Sequence, residues 1–156
     1  MRFFRESIIR ASPERVFSFH EQPEALTLLL PPWERARVIK PAKISQPGSQ
    51  AIVELRLLGL VRARWVAEHT AYDPPYSFED LQAEGPFRSW RHRHIIQTHP
   101  QGAILQDEIH YEPPLGYLGR CFARVVIDRR LKRLFAYRHE VTRRWCEATR
   151  NEGRDG

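Results

Sequence analysis

Only two cysteines, Cys121 and Cys146, occur in the 156 residues. Both fall in the terminal segment with helical spacing, about seven turns apart, where they cannot bridge. Neither has a second cysteine or a histidine at ligand spacing. Two reduced thiols in a cytoplasmic protein are therefore expected. Long hydrophobic runs are also missing. The longest, Leu28 to Pro32 with its neighbours, falls far short of the roughly 20 residues that span a bilayer. The opening Met1-Arg2-Phe3-Phe4-Arg5-Glu6 puts no apolar stretch ahead of a small-residue cleavage site, so no signal peptide is expected. The glycines form neither G-x-G-x-x-G nor a terminal Gly-Lys-Ser/Thr pattern, and Ser77 and Ser89 lack a G-x-S-x-G context. Cys146 has no histidine three or four residues away. A phosphate-binding loop and an activated nucleophile are thus both wanting, and no cofactor is expected.

What is present describes one globular domain. Hydrophobic residues make up 42% and charged residues 28%, and there is no internal repeat or interior linker. The expected division is a single domain over 1–150 and a polar, glycine-containing tail over 151–156. Net charge is 25 minus 19, or +6, with much of the excess in the last third, from Arg120 and Arg124 to Arg144 and Arg150. Those cations alternate with apolar residues at helical spacing, which reads as the solvated face of a long helix. Without a patterned aromatic stacking surface they argue only weakly for nucleic acid. Peripheral contact with acidic membrane headgroups stays open, and the oligomeric state is not legible.

Phe3 to Arg10 has the alternation of a strand. Ser12 is placed as an N-cap with Pro13 at the first helical position, although Arg15 stands where a capping box would have Glu or Gln. That helix ends near Pro23, and a second short one, Glu24 to Leu30, stops at Pro31-Pro32. Six strands follow with short connections: 35–40, 51–58, 61–72, 76–83, 90–99 and 103–111. Such a run implies an antiparallel meander. After Pro114-Leu115-Gly116 the period changes. Ile127, Leu131, Leu134, Arg138, Val141 and Trp145 recur at steps of three and four, widened by Phe135 and Cys146. A helix of about thirty residues with one apolar stripe needs a broad surface, and the sheet is the only one available. The fold class expected is α+β: a curved antiparallel sheet of about seven strands around a long C-terminal helix.

Strand parity sorts the chemistry. Trp90, His92, His94 and Ile96 share one face of their strand, and on the partner strand Ala103, Leu105, Asp107, Ile109 and Tyr111 likewise share one face. Both sets are the more apolar of their strands and belong inside. Three readings compete for His92 and His94. They could ligate a metal with Asp107 completing a triad, although no further histidine is clearly placed and no metal is expected. One of them, oriented by Asp107, could shuttle a proton. The reading preferred is a polar patch that anchors one end of a ligand or closes an internal network. Asp80 and Gln82, sharing parity with Phe78, extend this wall. Arg64 and Glu68 are read as a sheet-surface pair opposite Trp65, and His139 as surface or helix seam. A bulge would reverse the parity and turn both His92 and His94 outward.

The order strand, two short helices, six strands, long helix resembles the START-like superfamily, also called SRPBCC. The residues are similar to one bacterial single-domain branch. The matching stretches are Ser12-Pro13-Glu14-Arg15-Val16-Phe17, Gly85-Pro86-Phe87 with Trp90-Arg91-His92-Arg93-His94, and Asp107-Glu108-Ile109-His110-Tyr111. They continue with Pro114-Leu115-Gly116 and Gly119, then Leu134-Phe135-Ala136-Tyr137-Arg138. The resemblance implies a hydrophobic ligand between sheet and helix, and in some members cyclase or dehydratase chemistry. The wall would be Leu55, Leu57, Trp65, Phe78, Trp90, Leu105 and Tyr111 from the sheet and Ile127, Leu131, Leu134 and Phe135 from the helix. Phe87 and Trp90 would gate it, and His92, His94 and Asp107 would supply the polar end. Carrier, enzyme with a cavity histidine as acid–base, and interaction module through the basic helix are the three functional readings, in that order.

Overall fold

The computed structural model describes residues 1–57, 61–113 and 116–152, and at 57, 61, 116–124 and 149–152 the backbone only. Its elements run β1 (Arg2–Ile9), α1 (Pro13–Glu21), α2 (Ala25–Leu28), β2 (Ala36–Lys40), β3 (Gln50–Leu57), β4 (Val61–Asp73), β5 (Ser77–Glu84), β6 (Ser89–His99), β7 (Gly102–Glu112) and α3 (Gly116–Glu152). The seven strands form one antiparallel sheet in the order β1-β7-β6-β5-β4-β3-β2. The expected helix-grip architecture is the one observed. The helix runs to Glu152, and the rest of the expected tail, 153–156, lies outside the described residues. So do Pro114, Leu115 and the side chains of Arg120, Cys121, Arg124 and Arg150.

Local chemistry sets these boundaries. Ser12 caps α1 by accepting a hydrogen bond from the Arg15 amide through its hydroxyl, at 3.3 Å, and Pro13 fills the first turn, where a missing N–H costs nothing. Gly102 turns β6 into β7 at φ 139°, and a side chain there would strike the backbone of Ile9 and Ala11. β6 and β7 pair without a register shift from Ser89↔Glu112 to His99↔Gly102. No bulge intervenes, so the inward set of each strand stays inward: Trp90, His92, His94, Ile96, Ala103, Leu105, Asp107, Ile109 and Tyr111 are all buried. Bulges do interrupt β4 against β5, between Val66 and Ala67 and between His69 and Ala71. Near them the expected surface pair does not form. Arg64 approaches Glu84 at 3.9 Å instead, and Glu68 accepts from the Gln50 amide at 2.8 Å.

The buried stripe on α3 is one edge of the expected stripe, filled in by two polar residues. Leu131, Phe135, His139, Thr142 and Cys146 are the buried positions, whereas Leu134, Arg138, Val141 and Trp145 are only part-buried at its margin. The steps are still four, four, three and four. A count of apolar residues passes over His139 and Thr142, and so does not pick out that edge.

Candidate functional site

The sheet ladder itself assembles a polar layer. Across β4, β5 and β6, His69 pairs with Asp80 and Asp80 with His92. One step along, Phe78 pairs with His94 and His94 with Asp107. Directly opposed residues in an antiparallel sheet lie about 5 Å apart and share a face. Two adjacent rows therefore bring two carboxylates and three imidazoles into one patch. α3 adds His139 from above and α1 adds His20, whose ring centroid lies 5.2 Å from that of His94.

Asp107 is the hub. His92 Nε2 lies 2.8 Å from Asp107 Oδ1, and His139 Nε2 lies 2.5 Å from Oδ2. His139 Nδ1 in turn lies 2.8 Å from the Ser7 hydroxyl, which donates to it when the ring is neutral. His94 Nδ1 comes within 2.7 Å of Asp107 Oδ1, but without the geometry of a hydrogen bond. His92 Nδ1 faces Asp80 Oδ1 at 3.5 Å. Among the described residues, His20 Nε2, His69 Nδ1 and His94 Nδ1 are buried with no hydrogen-bond partner.

These contacts pull the histidines apart electrostatically. Burial alone depresses His92, but its hydrogen bond to Asp107 and the close carboxylate of Asp80, with the charges of both, outweigh it and raise the ring to about 9. His94 goes the other way, to about 4, through burial and then the neighbouring His92 charge. His20 lies well below its usual range through burial and then His94, and His69 is lowered chiefly by burial. Burial pushes Asp107 upward, yet His94, His139 and His92 together hold it well below the ordinary carboxylate range. Asp80 is likewise lowered, burial being overcome by His92. The layer thus holds a buried and a part-buried carboxylate, a charged His92 and a neutral His94 at neutral pH.

Apolar residues close on the layer from two sides rather than forming one wall. Phe78 and Leu105 belong to a cluster with Ile9, Phe17, Phe19 and Cys146 beneath α1. Trp90, Tyr111, Leu131 and Phe135 belong to a second with Phe3 and Ile109, with Trp65, Phe87, Ile127 and Leu134 packed at its margin. The Phe78 ring stacks on His94 at 4.0 Å, and Phe135 meets His92 edge-on at 5.2 Å, so each cluster meets one of the paired histidines through an aromatic ring. Phe87 packs on Trp65, Trp90 and Tyr111. Its loop is held by Gln82, which accepts from the Phe87 amide and donates to its carbonyl. Gln82 therefore acts on the loop rather than on the polar wall, whereas Asp80 is part of that wall. Leu55 lies apart, in an open depression of about 610 Å³ lined also by Pro32, Ala36, Glu54 and Arg62. The Leu57 side chain lies outside the described residues.

His139, His20 and His69 are not among the expected site residues. His139 is 3% exposed, at the centre of the grip rather than at its surface. Its place four residues after Phe135 and eight after Leu131 is the sequence signal that marks it. His69 shares the face of Trp65, as parity implies, but its place across from Asp80 is set by the bulge between His69 and Ala71, which parity does not reveal. Asp80, His92 and His94 each present a donor atom within 4.8 Å of the others, the spacing that suits a metal ion. Several helix cations are already paired: Arg130 with Glu34, Lys132 with Asp128, and Arg143 and Arg144 with Glu140. Among the described residues no helix is long and apolar enough to cross a membrane.

Residues 9–135 match the model of a family described as polyketide cyclase / dehydrase and lipid transport. No curated protein sequence matches the chain. Among solved structures, TTHA0849 from Thermus thermophilus is 17% identical at a TM-score of 0.74, the match covering 96% of this chain and 99% of that one. CV1439 from Chromobacterium violaceum is 14% identical at 0.72, over 94% and 97%. The di-domain ARO/CYC StfQ of the steffimycin biosynthetic pathway is 10% identical at 0.73, over 96% of this chain and 51% of StfQ. At such identities the likeness is one of fold.

Proposed function

The chain belongs to the polyketide cyclase / dehydrase and lipid transport family, and from that premise we propose that it binds a small, largely apolar molecule between sheet and long helix. The histidine–aspartate layer would hold the polar end of that molecule. The observation that carries this reading is the unmet hydrogen-bonding capacity of His20 and His69, beside His94 and set between two apolar clusters. A buried polar group without a partner costs about 1–3 kcal/mol, so a ligand hydroxyl, carbonyl or carboxyl that reached these nitrogens would recover that energy. Apolar surroundings with a few converging polar groups are the usual form of a small-molecule site. Trp65, Phe87, Trp90, Tyr111 and Phe135 supply the aromatic share.

A second reading is favoured by one specific feature. Two histidines of one strand have opposite protonation at neutral pH, His92 charged and His94 neutral, beside a fixed carboxylate. Such a pair supplies an acid and a base to one substrate, as a cyclisation or dehydration requires. The fold likeness to a protein whose description includes ARO/CYC agrees with that chemistry.

Separate replacement of His92 and His94 by glutamine decides between the two. Binding of a fluorescent aromatic acid is followed alongside turnover of any ligand recovered from the host. Loss of binding in His94→Gln without any turnover in wild type supports the carrier. Intact binding with turnover abolished supports the enzyme. Unchanged binding in both variants, with no turnover in wild type, would remove the polar layer from either role.

A further inference from the structure

The 3.5 Å between His92 Nδ1 and Asp80 Oδ1 is long for a hydrogen bond between an imidazole and a carboxylate. It is close to the separation of two ligands on a tetrahedral ion, about 3.4 Å when each bond is about 2.1 Å. The other face of the same ring is fixed, because His92 Nε2 meets Asp107 Oδ1 at 2.8 Å. Carboxylate, imidazole and a second open nitrogen in that sequence are the arrangement in which an outer carboxylate orients a metal-binding histidine. His94, adjacent on the same strand face, brings a third donor, and one donor atom of each of the three lies within 4.8 Å of the others. His69, across the ladder from Asp80, is buried and has an unpartnered Nδ1.

We propose that Asp80, His92 and His94 bind a divalent transition-metal ion, with Asp107 and His139 holding the ligand His92 in place. Two imidazoles and one carboxylate suit zinc, ferrous iron, cobalt or nickel rather than calcium or magnesium. The ion takes the place of the proton on His92 Nδ1, so each binding event releases that proton when the ring is charged. Three protein ligands would leave at least one coordination position open on such an ion. The inference goes beyond the ligand-binding reading and does not depend on it, because the ion is tested alone.

The full chain, stripped by chelator, is titrated with Co²⁺ both in the folded state and during refolding from urea, then challenged with Zn²⁺. Binding is followed by calorimetry and by the visible bands of bound Co²⁺. The expected result is one equivalent bound, displaced by Zn²⁺, with His94→Gln and Asp80→Asn each weakening it at least 100-fold. His139→Gln, acting through Asp107, should weaken it about 10-fold, as loss of an outer partner does. His110→Gln, at an exposed site, should leave it unchanged. Circular dichroism identifies variants that fold. A folded wild-type chain that takes up no Co²⁺ by either route overturns the proposal whatever the variants do. So does binding that survives His94→Gln in a folded chain, or binding lost in His110→Gln.

Discussion

Asp107 concentrates the interior's electrostatics in one side chain. It is 2% exposed and meets His92, His94 and His139. Removing one partner from a buried charge pair leaves the rest uncompensated, which costs about 3–5 kcal/mol. Asp107→Asn should therefore lower unfolding free energy by about that amount in urea at neutral pH. An effect below about 1 kcal/mol would show that the histidines find other partners. The same contacts fix how stability varies with pH. His92, raised to about 9, contributes stability that is fully present below its unfolded value near 6.5 and is lost as pH rises towards 9. His94, lowered to about 4, contributes stability that is present above 6.5 and is lost as pH falls, with His20 and His69 acting in the same direction. Stability should peak near pH 6.5, and His92→Gln should flatten the alkaline arm and, by removing a charge that depresses His94, make the acid arm shallower. Denaturation midpoints from pH 4 to 9.5 check this, and a curve flat from 6.5 to 9 in wild type would contradict it.

Among the elements, α3 decides what the sheet encloses. Phe135, 1% exposed, touches Phe3 and His92 and joins the second apolar cluster to the layer. Phe135→Ala should cost about 3–5 kcal/mol, as large-to-small changes in a packed core do. Val126→Ala, on the solvent side of the same helix, should stay within about 0.5 kcal/mol. Equal effects would mean that the buried stripe had been misassigned. The period of three and four is legible in the sequence and marks the helix, but His139 and Thr142 are polar and occupy core positions. They do so because Asp107 and the backbone carbonyl of Arg138 offer them partners. A hydrophobicity count cannot see a partner, so it leaves these two positions out of the stripe. Parity succeeds on β6 and β7 because that pairing has no bulge, and on β4 it gives the face of His69 but not its partner Asp80, which the bulge between His69 and Ala71 sets.

For the whole molecule, the order of elements is enough to imply the sheet and its grip on the helix. The contents of the grip are not readable in the same way. Residues from β4, β5, β6, β7, α1 and α3 meet at the polar layer, across separations as large as that between His20 and His139 in the chain. Only the folded register brings them together. If this layer receives the polar end of an apolar ligand, the ligand should travel with the protein. Native mass spectrometry of the chain purified from its own host, without added ligand, shows whether it does. The expected spectrum contains a non-covalent adduct of one small organic molecule per chain, diminished in His94→Gln. A spectrum of bare chain, or an adduct retained undiminished by folded His94→Gln, would contradict it.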